Sequence, residues 1–407
     1  MSSIDAPGRT AHEKRITTAL FAAGLTTFAS MYSAQALLPS LSAAFGATPA
    51  RAALAVSLTT GFLALTIVPI GVLSGRIGRT RVMTVSAILT AVIGLLLPFS
   101  PSLDVLLAGR AVQGVALAGI PAVSMAYLAE EVGAAGLGTA MGIYVAGNSI
   151  GGLAGRLLPA FLLDAVSWRW AQAAVAVAAA LCTIWFVRTL PPSRRFVAQP
   201  AGIRSVRGEL AVHLSHRRLL ALFGLAFVLV GGFVSLYNFL GYRLIHSPFG
   251  LSSATAGLVF VLYLAGTVAS PTAGRLADRL GHIRVLAAAV ATMALGLLVS
   301  LPDLLPTVVL GQLLCTAGFF GAHTVAGSWI GAIAPNRGTG SSLYLFAFYA
   351  GSAIFGGAAG IAYAWHGWAA LAGYVGILLV VATALVTALA VGVRRDAPAG
   401  SLSPAPV

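Results

Sequence analysis

Charged residues are scarce in this chain of 407 residues. Asp, Glu, Lys and Arg together make up 8% of the sequence, whereas a soluble domain carries about 25%. So little charge cannot cover the surface of a globule of this size, which excludes a soluble enzyme, a disordered chain and a secreted disulfide scaffold. Hydrophobic residues make up 58% and lie in long unbroken runs. Such runs are typical of membrane-spanning helices rather than of the alternating strands of a barrel.

Cysteine and lysine are nearly absent. Cys182 and Cys315 both lie within apolar runs, so we interpret them as small buried side chains rather than as a disulfide or a metal pair. Lys14 is the single lysine, and the arginines behind the net charge of +14 fall in short gaps between apolar runs. That placement is typical of a membrane protein and not of a nucleic-acid-binding protein. The sequence has no phosphate-binding loop with lysine, metal-ligand cluster or catalytic triad, so we expect no enzymatic activity, cofactor or metal.

The apolar runs predict an all-α membrane protein with twelve transmembrane helices in two pseudo-symmetric six-helix bundles. The first run is longer than a signal-peptide core, and we interpret it as the first span. The predicted spans are 16–38, 49–74, 82–99, 105–127, 139–163, 168–187, 219–243, 253–273, 283–301, 306–330, 339–363 and 368–391.

Basic residues predict the orientation. Of the 24 basic residues, Arg110 and Arg156 lie well within predicted spans. Arg51, Arg169 and Arg243 lie at span ends on one side of the membrane, which leaves 19 on the other side. Because cytoplasmic loops carry the excess of Lys and Arg, both termini are predicted to be cytoplasmic, in a multi-pass protein of the cytoplasmic (inner) membrane.

A polar segment divides the chain near its midpoint. We predict an N-terminal bundle over 1–190, a cytoplasmic linker over 191–217 and a C-terminal bundle over 218–407. The basic residues of the linker fit a topology signal that also contacts anionic lipids, and a regulatory role is the alternative.

The two halves repeat. Residues 71–82 (GVLSGRIGRTRV) align with residues 274–285 (GRLADRLGHIRV), each between the second and third span of its half. Parallel six-span repeats are typical of a two-bundle transporter with its site between the halves.

Three motifs resemble one family. Residues 274–284 are similar to the signature loop of the major facilitator superfamily, Arg110 to Gly114 resembles its second signature, and residues 147–152 resemble its antiporter signature. The resemblance covers residues 16 to 392, and within the family the chain looks most like the twelve-span drug and arabinose-efflux-type exporters. It implies transport by alternating access.

The resemblance also implies that the two loops latch the bundles during transport. Two departures stand out, since Gly75 replaces the usual aspartate of the first loop and Asn148 replaces the usual proline of the antiporter signature. The gating residues implied by the loops are Gly71, Arg76, Gly78, Arg79, Gly274, Asp278, Arg279 and Gly281.

Charge inside the membrane is the sharpest signal. Arg110 and Arg156 lie about two turns inside their spans, and all ten acidic residues lie at span ends or in loops. Intramembrane charge is costly and usually faces a cavity or a partner. The arginines therefore either create a positive cavity for anionic or electron-rich polar substrates, or serve structure, with Arg110 on helix carbonyls and Arg156 reaching toward Asp164.

Other polar and aromatic residues lie at similar depth. Each alone is more often a packing residue, but together they predict a polar and aromatic pocket, and the resemblance implies that spans 1, 4, 7 and 10 line it. The candidate substrate-binding residues are Tyr32, Gln35, Arg110, Gln113, Asn148, Arg156, Tyr237, Asn238, His323 and Tyr349.

These observations predict a secondary active transporter that exports small molecules, coupled to protons. A proton-coupled uptake symporter and a non-transporting membrane receptor or scaffold are the alternatives. His323, Asp164 or the substrate itself are the candidate proton carriers, since a histidine side chain ordinarily titrates close to neutral pH. The expected partners are an anionic or polar small molecule, protons and membrane lipids, without nucleic acid, and the expected state is a monomer.

Overall fold

The computed structural model describes residues 11–132, 134–198 and 203–396. Every regular element in these ranges is helical. Short 3₁₀ segments cover Leu97–Phe99 and Leu258–Leu264. The α-helices are α1 (Ala11–Tyr32), α2 (Leu38–Phe45), α3 (Pro49–Ile77), α4 (Arg79–Leu96), α5 (Leu103–Leu117), α6 (Gly119–Glu131), α7 (Ala134–Leu162), α8 (Trp168–Thr189), α9 (Ile203–Ser215), α10 (Arg217–Ile245), α11 (Ser253–Gly257), α12 (Ala265–Leu280), α13 (His282–Val299), α14 (Leu305–Ile333) and α15 (Arg337–Asp396).

The predicted fold class is confirmed. Within the described ranges, nine helical segments are long and apolar enough to cross a membrane. The last of them leaves helical geometry at His366 and Gly367, where Gly367 has φ +58°, so α15 holds two spans. Together with α1 and α7 these segments account for the twelve predicted spans. The terminal residues 1–10 and 397–407, whose cytoplasmic location is predicted, lie outside the described residues.

The first span differs from the prediction of one helix over 16–38. α1 ends at Tyr32, and α2 begins at Leu38 with Pro39 in its first turn. Proline has no amide hydrogen to donate to the preceding turn and is tolerated in the first turn of a helix, so Pro39 ends one helix and allows another to begin. The break at 33–37 leaves backbone carbonyls at the end of α1 without intrahelical partners, and inside a membrane these need other donors.

Contacts group the described chain into two compact units. The first unit contains residues up to 202 together with 237–261, and the second contains 203–236 and the residues from 262 onward. The second part of α10 and the start of the eighth span thus pack with the first eight helices. The predicted domains 1–190, 191–217 and 218–407 stay a prediction about the sequence halves.

A glycine seam fixes α7 against α1 in the first unit. A Cβ atom at Gly147, Gly151 or Gly155 would lie 2.5 to 2.6 Å from a backbone oxygen of α1, at Phe21, Leu25 and Ala29 respectively. The four-residue spacing places these glycines on one face, so the two backbones touch along two turns. This seam sets the position of Arg156, which follows directly after Gly155 on α7.

Candidate functional site

Arg156 is the centre of a buried polar cluster in the first unit. Its side chain is 3% exposed. The guanidinium donates from Nε to Gln35 Oε1 at 2.6 Å and from Nη1 to the Gly152 carbonyl at 2.7 Å. Its Cζ atom lies 3.9 Å from the ring centre of Tyr32, within the range of a cation–π contact. All three of these contacts are with neutral groups.

Gln35 continues the cluster toward α10. It lies in the break between α1 and α2 and is 2% exposed. Its Nε2 donates to Asn238 Oδ1 at 2.8 Å. The structure thus brings together Tyr32, Gln35, Arg156 and Asn238, four of the predicted site residues.

Tyr237 joins the same region through Phe260. The two rings stack with their centroids 5.8 Å apart, and the Phe260 ring centre is 5.7 Å from the Arg156 Cζ atom. Aromatic faces therefore flank the guanidinium from α1 and from the segment after α11. Such walls orient a cation and exclude water around it.

Arg110 and Gln113 form a different buried pair. Arg110 donates to the carbonyls of Ser30 (2.8 Å) and Met31 (2.6 Å) at the end of α1, to that of Ala55 on α3 (2.9 Å), and to Gln113 Oε1 (2.6 Å). The carbonyls that the break of the first span releases are therefore among those that hold Arg110. This arrangement supports the alternative in which Arg110 serves structure by bonding helix carbonyls. Those carbonyls belong to α1 and α3 and not to α7, the glycine-rich helix. A substrate contact for Arg110 and Gln113 stays a prediction.

Asn148 lies eight residues, about two turns, before Arg156 on α7. Its Oδ1 atom is buried and has no hydrogen-bond partner within the described chain. A Cβ atom at Gly24 of α1 would lie 2.6 Å from that oxygen. Asn148 therefore faces α1 and does not join the Arg156 cluster.

His323 and Tyr349 lie in the second unit. The Tyr344 hydroxyl is 2.8 Å from His323 Nδ1, and the rings of His323 and Tyr349 lie 5.0 and 5.3 Å from that of Phe348. A stacked Phe233 and Phe319 pair, with centroids 4.0 Å apart, extends this group. The two predicted residues are thus brought together in an aromatic cluster of α10, α14 and α15.

Each of the two signature loops turns at a single glycine. Gly78 (φ +107°) separates α3 from α4, and Gly281 (φ +85°) separates α12 from α13. Only glycine adopts these angles without strain. Gly71 and Gly274 lie instead inside α3 and α12, and a Cβ atom at Gly274 would meet no atom within 4 Å. Their predicted gating role stays a prediction.

Arg79 ties the first turn to the end of α6. Its Nε and Nη2 atoms donate to Glu130 Oε1 at 3.0 and 2.9 Å, and Nη1 donates to Ser74 Oγ at 2.7 Å. The side chains of Arg76, Asp278 and Arg279 are exposed. A gating role for these residues stays a prediction.

Two acidic residues with clear roles were missed by the sequence analysis. Glu131 accepts hydrogen bonds from the Ser193 hydroxyl and from the amides of Arg194 and Arg195, at 2.7 to 2.9 Å. Glu209 on α9 accepts from the Thr339 hydroxyl at 2.7 Å, beside the N-terminal end of α15. Both are among only ten acidic residues, and that scarcity was the available signal.

Asp164 stands at the end of α7. Its carboxylate accepts from the amides of Ser253 (2.8 Å) and Ala254 (3.1 Å) at the start of α11. Asp164 therefore holds α11 against α7.

Comparisons with known proteins agree with this architecture. The sequence profile of the Major Facilitator Superfamily matches residues 20–245 and 222–406. The chain is 38% identical over 382 residues to the MFS-type transporter YybF of Bacillus subtilis, covering 94% of this chain and 95% of YybF. It is 40% identical over 376 residues to the inner membrane transport protein YnfM of Escherichia coli, covering 92% of this chain and 90% of YnfM.

One more distant relative and one solved structure extend the comparison. A chloramphenicol resistance protein of Streptomyces lividans is 32% identical over 246 residues, covering 56% of this chain and 62% of that protein. The crystal structure of a bacterial homologue of the human lysosomal transporter Spinster, inward-facing and occupied, gives a TM-score of 0.75 at 15% identity, covering 94% of this chain and 98% of that one.

The expectation that the chain is not an enzyme is confirmed, because its relatives are named as transporters. The profile match over almost the whole chain, the twelve helical spans and these relatives lead to one assignment: the chain is a multi-pass membrane transporter that belongs to the Major Facilitator Superfamily.

Proposed function

We propose that this protein is a secondary active transporter that exports small anionic or polar molecules across the cytoplasmic membrane, with Arg156 as the contact for the substrate's negative group. A single observation carries the proposal. Arg156 is a buried cation held by neutral acceptors and an aromatic face, in a chain without an acidic residue in the middle of any predicted span. An anionic group of the substrate would add a charged partner to these neutral contacts.

Export is favoured over uptake by two observations. Residues 147–152 resemble the antiporter signature of the family, and a chloramphenicol resistance protein is among the relatives. An uptake symporter is the second candidate, since the same site would serve inward transport. The excess of arginines on one side orients the protein with both termini in the cytoplasm.

Proton coupling is assigned to His323. Its Nδ1 atom lies 2.8 Å from the Tyr344 hydroxyl, and an imidazole is a side chain that can bind and release a proton. His323→Ala should then remove the dependence of transport on the pH gradient and leave substrate binding intact. Unchanged pH-driven transport in this variant would reject His323 as the carrier.

The test of the substrate contact is a flux assay in sealed vesicles that contain the purified protein. A panel of small carboxylates, sulfonates and matched neutral analogues is supplied with an imposed pH gradient. Outward exchange of anions supports the proposal, inward symport supports the second candidate, and no flux supports a receptor or scaffold.

Variants at Arg156 refine the assay. Arg156→Gln should abolish anion flux, and Arg156→Lys should retain part of it because lysine keeps the charge but loses the fork geometry. Arg169→Gln is the matched control, since Arg169 donates to the carbonyls of Pro98 and Ser100 away from the cluster. Full anion flux in Arg156→Gln would remove Arg156 from the substrate site.

A further inference from the structure

Three buried polar side chains form a continuous chain across the first unit. Arg156 donates to Gln35 Oε1 at 2.6 Å, and Gln35 Nε2 donates to Asn238 Oδ1 at 2.8 Å. The three side chains are 3%, 2% and 1% exposed. They come from α7, from the break between α1 and α2, and from α10, so this chain of bonds joins three separate elements.

Asn238 belongs to a polar seam that holds part of α10 and the start of the eighth span. The Tyr242 hydroxyl donates to the Leu38 carbonyl at 2.8 Å and lies 2.6 Å from Ser42 Oγ. Further along, Asp164 accepts from the start of α11. We name these contacts, with the Gln35–Asn238 bond, the α10 seam. Gln35 is the member of the seam that also touches Arg156.

Gln35 has one amide group and uses both of its ends. The oxygen accepts from Arg156 and the nitrogen donates to Asn238, so a rotation that breaks one bond strains or breaks the other. The break at 33–37 also frees Gln35 from a regular helix. The amide can therefore turn without unwinding a helical turn.

A carboxylate often binds arginine through two parallel hydrogen bonds to neighbouring N–H groups. Nη1 of Arg156 already donates to the Gly152 carbonyl and Nε to Gln35. A substrate carboxylate that binds the edge formed by Nε and Nη2 therefore takes the donor that Gln35 uses and displaces the Gln35 oxygen. The displaced amide then turns away from Asn238, and the α10 seam loses its bond nearest to the site.

We propose that Gln35 is a positioning residue that transmits the occupancy of Arg156 to the α10 seam, so that substrate binding releases α10 from α1 and α2. The step in which binding breaks the bond between Arg156 and Gln35 rests on the proposed function, because it takes the ligand of Arg156 to be an anion. The physical link itself does not depend on the ligand, and it can be measured without one.

The experiment is a mutant cycle on the ligand-free protein in lipid. Spin labels at Ala44→Cys, near the end of α2, and His246→Cys, just after α10, report the opening of the seam; both sites are exposed. The background carries Cys182→Ala and Cys315→Ala. The measured quantity is the ratio of long to short label distances.

The cycle combines Arg156→Gln with Asn238→Leu, in the presence of Gln35 and again with Gln35→Met. With Gln35 present, the effect of the double variant on the distance ratio should differ from the product of the two single effects by about fivefold or more. With Gln35→Met, the two effects should multiply independently. Coupling that survives Gln35→Met, or that is missing when Gln35 is present, would overturn the proposal.

A second variant guards against a folding defect. Gln35→Glu keeps an acceptor for Arg156 and, once the Asn238 amide turns over, an acceptor for the Asn238 nitrogen, so the seam should stay closed and the variant should stay folded. A seam as open in Gln35→Glu as in Gln35→Met would also overturn the proposal. Gln312→Met is the matched control, because Gln312 is 1% exposed and lies on α14 in the second unit, and it should leave the label distances unchanged.

Failure of the proposed function gives a different pattern. Absence of anion flux in the vesicle assay leaves the ligand-free coupling in place, whereas absence of coupling leaves anion flux in place. With benzoate as the probe, the long distance should gain weight in the protein with Gln35 and stay unchanged in Gln35→Met. Equal benzoate responses in the two proteins would refute the transmission through Gln35.

Discussion

Replacement of Arg110 by alanine should destabilise the protein before it changes transport. The guanidinium is 1% exposed and holds the end of α1 to α3 and α5 through three carbonyls and the Gln113 side chain. Alanine removes every one of these donors and leaves the carbonyls of Ser30 and Met31, next to the break, without them.

The magnitude follows from the number of bonds. Arg110 makes three hydrogen bonds of 2.6 to 2.9 Å to carbonyls of α1 and α3, besides its bond to Gln113 on its own helix. Hydrogen bonds between helices in a membrane contribute about 0.6 kcal/mol on average and about 1.7 kcal/mol at most. Three such bonds give roughly 1.8 to 5 kcal/mol. At about 2–4 °C per kcal/mol for a unit of this size, even the lower value predicts a fall of roughly 4–7 °C in the melting temperature.

The assay is thermal unfolding of the purified variants in detergent, followed by size-exclusion chromatography of the soluble fraction. Arg51→Ala is the control, because its ion pair with Asp104 has side chains 54% and 73% exposed and such pairs contribute about 0–1 kcal/mol. Arg110→Lys should fall between the two. A shift of 2 °C corresponds to about 0.5–1 kcal/mol of unfolding free energy. A melting temperature for Arg110→Ala within 2 °C of the unchanged protein would therefore refute the structural reasoning.

Three further outcomes are expected. Gly151→Ala should lower the melting temperature, since its Cβ would lie 2.6 Å from a carbonyl oxygen of α1 and overpacking costs about 1–3 kcal/mol, whereas Gly142→Ala should be neutral because nothing lies within 4 Å. The pKa of Asp164 is lowered, chiefly by the Ser252 side chain; its contribution is therefore complete above the ordinary pKa of about 3.9 and lost as the pH falls through the lowered value. The melting-temperature difference between Asp164→Asn and the unchanged protein should persist from pH 7 to 5 and vanish in stronger acid. Glu209→Leu removes an anion beside the N-terminal end of α15 and should cost about 0.3–1 kcal/mol in unfolding experiments.

Most of the fold could be predicted from the apolar runs, because hydrocarbon admits little else than long apolar helices. Predicted and observed span ends mostly agree within a few residues. The break after Tyr32 was missed although Pro39 signals it, since a proline cannot donate the hydrogen bond that would continue a helix and is tolerated in a first turn. The 3₁₀ segment Leu258–Leu264 has no such local signal and follows from packing.

Four of the predicted site residues lie together around Arg156, but their pairings could not be predicted. The cost of burying charge identified Arg156 as a residue that needs partners. Its bond to Gln35, and the bond from Gln35 to Asn238, depend on the rotation of each helix about its axis. A residue's depth in a span indicates its level in the membrane but not its neighbour. One of the two alternatives for Arg156 therefore placed it near Asp164, whereas the carboxylate of Asp164 bonds the start of α11.

The break in the first span also constrains the order of membrane insertion. When α1 and α2 leave the translocon, the Ser33 hydroxyl can already donate to the Ser30 carbonyl, but the Met31 carbonyl still lacks Arg110, which follows 79 residues later. Arg110 in turn costs about 2.5–3.5 kcal/mol to insert at the centre of an isolated helix. Each segment is thus a poor membrane span until the other arrives. Helices α1 to α5 should therefore complete their insertion as one group, and ribosome-bound chains that stop before Arg110 should hold the first span less firmly than longer ones.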